Sequence, residues 1–330
     1  VKKFFLYQRY LLALAALIFF VTTIYPVNKW QFDSTQCREQ GGFCFAFLRA
    51  KFSYFFFGPY PRELLWRPIV LLLMTMTIGL WASMVKYWNR WFLIFYVLLL
   101  ILYPLLMGGF GENQVPTEKW GGLPLSMMII LSCTGPGLVL GMILALGRRS
   151  KLPLFRWVAT LMIELVRAVP LITLLFMASV MWPLFFPASW STPKLVRAIL
   201  VMTIFIAAYM AEVIRGGLQA IGPGQFEAAK SLGLNFYQTM RLIILPQAIG
   251  HVIKPLVNTI IGMSKDTSLV MIIALFDFMG AVKSSLSDMD WPGYSVEAYL
   301  FAAIVYYAIC RYLSWMGDCW EIYFQRGKNI

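Results

Sequence analysis

Charged side chains are scarce in this sequence: Asp, Glu, Lys and Arg make up 13% of its 330 residues. A soluble domain carries about 25%, so there is too little charge to cover a water-facing surface, and a soluble enzyme is excluded first. Histidine occurs once, and Cys133, Cys310 and Cys319 are scattered in or beside apolar segments without metal-ligand spacing. No metal site is expected. No Gly-x4-Gly-Lys-[Ser/Thr] phosphate loop occurs, so the chain is not expected to bind ATP itself. No nucleophile–base pair is supported by its context, so neither catalytic residues nor a cofactor are expected. Acidic residues are the scarcer sign, 15 against 28 basic, for a net charge of +13. In a soluble protein that balance would point to nucleic acid; here the positions of the basic residues argue for membrane topology instead.

What is present is apolar: 60% of all residues are hydrophobic and 16% of all residues are aromatic, with a mean hydropathy of +0.71. A helix needs about 20 mostly apolar residues to cross the hydrocarbon core. Such runs occur at 10–26, 66–85, 91–108, 123–146, 154–182, 194–213, 241–263 and 294–317. The run 268–283 is short and interrupted by Asp277 and Lys283, which reads as a half-inserted or interfacial helix rather than a further span. The expected fold is therefore an all-α polytopic membrane protein with about eight transmembrane helices. An even number of spans puts both termini on one side. Lys86, Arg90, Arg148, Arg149, Lys151, Arg156, Arg215, Lys230 and Arg241 fall on that same side, which the positive-inside rule makes the cytoplasm. Trp30, Trp66, Trp88, Trp91, Trp120, Trp157, Trp182, Trp190, Trp291 and Trp315 lie near the predicted span ends, where interfacial rings are expected. The first span exits through Val21-Thr22-Thr23-Ile24-Tyr25-Pro26, which offers no small-x-small cleavage site, so a retained anchor is expected.

Cys37 and Cys44 share the hydrophilic loop 27–65. They can form a disulfide if that loop faces an oxidising compartment; two free thiols are the alternative. Composition shifts near residue 120. Residues 1–119 hold three spans and an aromatic external loop with little intramembrane polarity, and read as an accessory bundle. Residues 120–330 bring Gly, Pro and intramembrane charge, and read as the working core.

The most specific feature is the loop 216–240. Gly222-Pro223-Gly224 ends the incoming helix. Gln225 to Leu232 suits a two-turn helix centred on Ala228 and Ala229, Gly233 can take the left-handed conformation that stops it, and Asn235 with Gln238 resembles a capping box. A short helix held between two sharp breaks on the basic side is a rigid peg presented to something cytoplasmic. Within the fifth run, Glu164 and Arg167 lie ten to thirteen residues in, near mid-membrane at about 1.5 Å per residue. An intramembrane ion is costly unless paired or facing water, and at i, i+3 the two can neutralise each other. Pro170 cannot donate to the Val166 carbonyl, which predicts a kink or unwinding beside the pair. A broken helix with both charge signs suits a zwitterion's carboxylate and ammonium; a structural ion pair is the alternative. Asn258, Lys265, Asp266, Thr267 and Ser268 form a second polar group at the outer end of the seventh run, where a cavity wall or gate competes with a solvated helix end. Glu212 and Arg215 read as an anchor for the loop 216–240, and Gly137 with Gly141 as a face for close helix packing.

Glu227-Ala228-Ala229, then Gly233-Leu234 and Ile244-Leu245-Pro246, resemble the EAA loop of ATP-binding-cassette importer permeases. Three further stretches resemble the polar amino-acid branch of that family: Trp120-Gly121-Gly122-Leu123-Pro124-Leu125 with Ala145-Leu146-Gly147-Arg148; Glu164-Leu165-Val166-Arg167-Ala168-Val169-Pro170-Leu171; and Pro255-Leu256-Val257-Asn258 leading to Lys265-Asp266-Thr267-Ser268-Leu269. Ala168 departs from the family's usual Gly. The resemblance implies a five-helix type I permease core, here with three added N-terminal helices, in a bacterial inner membrane. It further implies that Glu227, Ala228, Ala229, Gly233 and Leu234 contact a cytoplasmic ATPase dimer, and that Glu164, Arg167, Pro170, Asn258, Lys265, Asp266, Thr267 and Ser268 belong to the substrate path or gate. The other implied partners are a second permease, a periplasmic amino-acid-binding protein and membrane lipid, with no nucleic acid. The expected function is the transmembrane subunit of an ATP-driven importer of polar or general L-amino acids. Two competing readings are a stand-alone ion-coupled secondary transporter, against which the absence of an inverted repeat counts, and a membrane-anchored interaction protein, which leaves the buried charges without a role.

Overall fold

In the computed structural model, which describes residues 34–40, 43–185 and 192–326, every predicted span from residue 66 onward is helical. Helices α1 (Ser34–Gln40) and α2 (Phe45–Phe57) precede the long α3 (Trp66–Ser83) and α4 (Arg90–Gly108). Next come α5 (Gly122–Arg148), α6 (Pro153–Ala168), α7 (Leu171–Phe176), α8 (Trp182–Phe185) and α9 (Lys194–Gln219). The short α10 (Pro223–Ser231) and α11 (Phe236–Thr239) lead into α12 (Leu245–Asp266), followed by β1 (Phe276–Asp277), α13 (Phe278–Ser285) and α14 (Ser295–Arg326). Six stretches among the described residues are long and apolar enough to cross a membrane, and a seventh if the bent pair α6 to α8 is one broken span. The span expected at 10–26, with Trp30 and Trp190, lies outside the described residues.

The core is organised around α5 and α9, which make the most extensive helix contact in the chain. Their approach depends on small residues: a Cβ on Gly137 would lie 2.5 Å from the Ile206 side chain. Leu125, Ile129, Cys133, Met202, Ile206 and Met210 are buried in one cluster there. Between segments as apolar as the lipid around them, such van der Waals fit, rather than transfer from water, holds helices together. Helix α12 packs on both α9 and α14.

Two elements depart from straight spans. The expected run 154–182 breaks at Val169–Pro170 into limbs bent by 100°, where Pro170 has no amide hydrogen to continue the ladder. A π turn, Met177–Met181, follows in the outer limb, and a second, Met240–Ile244, joins α11 to α12. The run 268–283, expected as one half-inserted or interfacial helix, is instead three pieces. A 3-10 turn over Thr267–Ile273 ends at Ala274 in the left-handed region (φ 59°). β1 then bridges in parallel to Gly121 and Gly122, and the Asp277 carboxylate caps α13 by accepting the Gly280 amide at 2.8 Å. The cap and the long-range bridge outcompete continuous helix, and neither is encoded in the local hydropathy.

The loop 27–65 is docked where described. A disulfide joins Cys37 to Cys44, with the Cα atoms 5.7 Å apart, and Glu297 accepts the Cys44 amide at 3.1 Å. From α2, Phe47 and Phe55 are buried with Phe278, Val282, Tyr294 and Ala298, Phe47 stacking on Tyr294 at 5.3 Å. Lys51 pairs with Asp288 and, by hydrogen bonding to it, holds that carboxyl below its ordinary value.

Candidate functional site

The segment between α9 and α12 is built as a rigid projection. Gly222 is the N-cap of α10 and Pro223 its first residue, a position where the missing amide hydrogen costs nothing. At the other end the Leu234 amide donates to the Ala229 carbonyl (3.1 Å) and the Gly233 amide to that of Lys230 (2.9 Å). Gly233 sits at φ +74°; this is the Schellman closure, which needs a left-handed residue there. The Asn235–Gln238 capping box follows immediately, with both bonds formed at 2.9 and 3.0 Å. Its inner side is fixed: Ala229 is fully buried, Phe226 packs on Leu218, Ile221, Ile244 and Ala248, and Gln225 accepts from Gln247 at 3.0 Å. The outer side is open. Glu227, Ala228 and Gly233 are exposed and Leu234 is half-buried, while Leu232, Phe236 and Tyr237 are 75%, 77% and 68% exposed. Three large apolar side chains held in solvent on a capped, two-ended scaffold form a contact face, since burial inside the chain would have been the alternative use of such residues.

Behind this projection lies a five-residue charge cluster centred on Glu212. Its carboxylate accepts from Arg148 at 2.6 Å and from Arg215 at 2.8 Å, and Arg167 approaches to 3.7 Å. Arg148 also reaches Glu164 at 2.8 Å. Arg167 lies over the Tyr209 ring at 5.4 Å. The pairing expected between Glu164 and Arg167 on one helix is thus replaced: each pairs with a different helix, Glu164 with the last residue of α5 and Arg167 with α9. The cluster joins the last residue of α5 to the C-terminal part of α9, which leads into the projecting segment, and α6 ends just past it in the 100° bend. Pro170 stands at that bend as the N-cap of α7. Glu212 and Arg215 are the expected i, i+3 pair, extended by Arg215 donating to Gln219 at 2.7 Å. Arg148, which completes the cluster, had no local signal beyond closing its helix.

The second polar group stays separate. Asn258 and Lys265 are both exposed, two turns apart on α12; Asp266 is that helix's last residue, Ser268 is half-buried and Thr267 is buried, donating to the Ser264 carbonyl at 3.1 Å. They occupy the end of α12 remote from the projection, so the structure does not gather them with Glu164 and Arg167. Lys254, which reads from sequence as a snorkelling side chain, is instead paired with Asp318 and Glu321 of α14.

With this geometry in view, similarity to known proteins is informative. Residues 137–318 match the family model described as binding-protein-dependent transport system inner membrane component. The inner membrane amino-acid ABC transporter permease protein YhdY of Escherichia coli (strain K12) is 41% identical over 323 residues, covering 92% of this chain and 86% of that protein. The glutamate/glutamine/aspartate/asparagine transport system permease protein BztC of Rhodobacter capsulatus is 42% identical over 195 residues, 59% of this chain and 45% of its own length. Among solved structures, an amino acid ABC transporter with histidines matches 61% of this chain and 91% of its own at a TM-score of 0.55 and 29% identity. These relatives favour a permease over a stand-alone secondary transporter. The chain belongs to the binding-protein-dependent transport system inner membrane component family and is a multi-pass inner-membrane permease subunit of an ABC importer.

Proposed function

We propose that this permease forms half of the pore of an ATP-driven importer of polar or general L-amino acids, with both termini in the cytoplasm. Its partners are a separate cytoplasmic ATPase dimer, a second and related permease, and a periplasmic amino-acid-binding protein that delivers substrate to the outer face. The observation that carries this reading is α10: anchored on its inner side by Phe226 and Ala229, stopped at both ends, and open through Glu227, Ala228, Gly233, Leu232 and Phe236 on the other. The names of the relatives support the substrate class, and the basic residues on the side of this helix support the orientation.

In this mechanism the ATPase dimer closes on ATP and carries α10 with it. Helix α9 runs directly into α10, and Glu212 on α9 is tied to Arg148 of α5, while Arg148 holds Glu164 of α6. Displacement of α10 therefore strains one ionic junction shared by three helices. The two pore states differ in how this junction is made, and ATP shifts their populations through its different affinity for them. Glu164, Arg167 and Pro170 act at the cytoplasmic gate, beside the bend in α6 to α7. Asn258, Lys265, Asp266, Thr267 and Ser268 line the outer path. Residues 1–119 form an accessory bundle beside the 120–330 core.

Reconstitution in proteoliposomes with the ATPase subunit tests the reading: uptake of labelled L-amino acid requires ATP and the ATPase together. Glu227→Arg or Gly233→Pro abolishes that uptake while the protein still inserts. Uptake without either partner, or normal uptake by such variants, overturns it.

A further inference from the structure

The N-terminal helix pair α3–α4 touches the core at two places that the transport reading leaves unused. At one end Trp320 of α14 donates its indole N–H to the Ala82 carbonyl at 2.7 Å and meets Trp88 edge-on at 5.3 Å. The pair itself is joined by the Thr75–Tyr103 hydroxyl contact at 2.7 Å. At the second place the Tyr96 hydroxyl of α4 enters the backbone of α5. It donates to the Leu131 carbonyl and accepts from the Gly135 amide at 3.2 Å. Those are the acceptor and donor of one and the same rung of an α-helix. The next rung is also weakened, since Pro136 has no hydrogen for the Ser132 carbonyl. Room for the hydroxyl exists only because residue 135 is glycine: a Cβ there would lie 2.3 Å from the tyrosine oxygen. On its other flank the same Gly-Pro-Gly stretch is held against Ile206 of α9.

A side chain inserted into the helical ladder is one of the few causes of a helix bend, and here the inserted group comes from outside the core. Arg148, the residue that links Glu212 to Glu164, is the last of α5, twelve positions beyond Pro136. That is a lever of about 18 Å, so a change of about 10° in the direction of α5 at Pro136 displaces its end by about 3 Å. The ion pairs it makes are 2.6 and 2.8 Å long, and a displacement of that size breaks them. We propose that Tyr96 is a positioning residue for transport: its hydroxyl sets the bend of α5 at Gly135–Pro136–Gly137, and through that bend sets Arg148 against the α6 and α9 carboxylates. The helix pair α3–α4 is then part of the switching machinery and not a passive anchor. This rests on the importer reading above.

The test uses the full complex, with its ATPase and binding protein, in proteoliposomes supplied with a mixture of radiolabelled L-amino acids. Tyr96→Phe keeps the ring and removes only the bridging hydroxyl. Its maximal uptake rate is expected to fall about fivefold, the equivalent of about 1 kcal/mol in a barrier, with the KM unchanged and more ATP hydrolysed per substrate moved. Gly135→Ala, which expels the hydroxyl, should give the same defect, and the double variant should be no worse than either, as expected for two changes to one contact. Wild-type turnover in either variant overturns the proposal, as do additive defects. Loss of assembled complex in both variants, with normal turnover in what remains, makes the contact a structural joint and overturns it too. If the wild-type complex itself shows no ATP-dependent uptake, the importer reading fails instead.

Discussion

Glu212 is the residue on which the interior electrostatics turn. Three guanidinium groups, from Arg148, Arg167 and Arg215, converge on one carboxylate whose side chain is only 16% exposed. Removing its charge leaves those cations with Glu164 alone, and Glu164 is bonded only to Arg148 within the cluster. Glu212→Gln should therefore cost about 2 kcal/mol of stability, in the range for a hydrogen bond to a charged group, and should lower the melting temperature of the detergent-solubilised protein. Glu164→Gln, at a side chain 54% exposed, should cost no more than about 1 kcal/mol. Equal melting shifts for the two would contradict the hub. At Gly233 the issue is backbone, not charge: at φ +74°, an Ala pays about 1 kcal/mol of left-handed strain. Gly233→Ala should then reduce ATP-driven uptake while leaving the membrane level of the protein unchanged. These residues also mark the boundary of what local sequence shows. The capping box and the stop at Gly233 were legible because each is a contact between neighbours. The partners of Glu164 and Arg167 were not, because they lie on two other helices, α5 and α9, whose packing no local pattern shows.

Elements were legible to different degrees for a similar reason. Each long helix follows from a run of apolar residues long enough to span a bilayer, and Pro170 announced a break in one of them. Its 100° angle was not announced, nor was the division of 268–283, which depends on β1 bridging to Gly121 and Gly122. The element α1–α2 offers two checks. Its disulfide closes a loop with a sequence separation of 7, worth about 2.5 kcal/mol in the chain-entropy account. Cys44→Ser should make residues 34–57 more sensitive to protease while ATP-dependent uptake persists. The Lys51–Asp288 pair gives a pH signature. Because Lys51 holds the Asp288 carboxyl below its ordinary 3.8, the stabilisation is fully present above that value and is lost only as pH falls beneath it. Protease protection of α2 in wild type and in Asp288→Asn should differ at neutral pH and converge only as pH falls below that ordinary value.

At the scale of the whole molecule, one face of the chain is finished and another is not. Helix α2 covers α13 and the start of α14, α3 and α4 cover α5 and the end of α14, and Lys254 ties α12 to α14. The projecting segment, by contrast, leaves Leu232, Phe236 and Tyr237 largely exposed. Extraction from the native membrane in mild detergent should recover an ATPase chain with this permease, together with a second permease, identifiable by mass spectrometry. Leu232→Asp should lose the ATPase and retain the permease partner. Recovery of the chain alone across several detergents would count against the assembly.

The π turn at Met240–Ile244 stands between this contact face and α12. A π turn is an α-helix wound with one residue too many. Passing that surplus one position along the axis re-aims only the residue it passes, by about 100°, and leaves the helix on either side in place. At this junction a side chain can turn from one face of the helix to another while the contact face before it and α12 after it hold their places, as a bead slides on a string whose ends are tied.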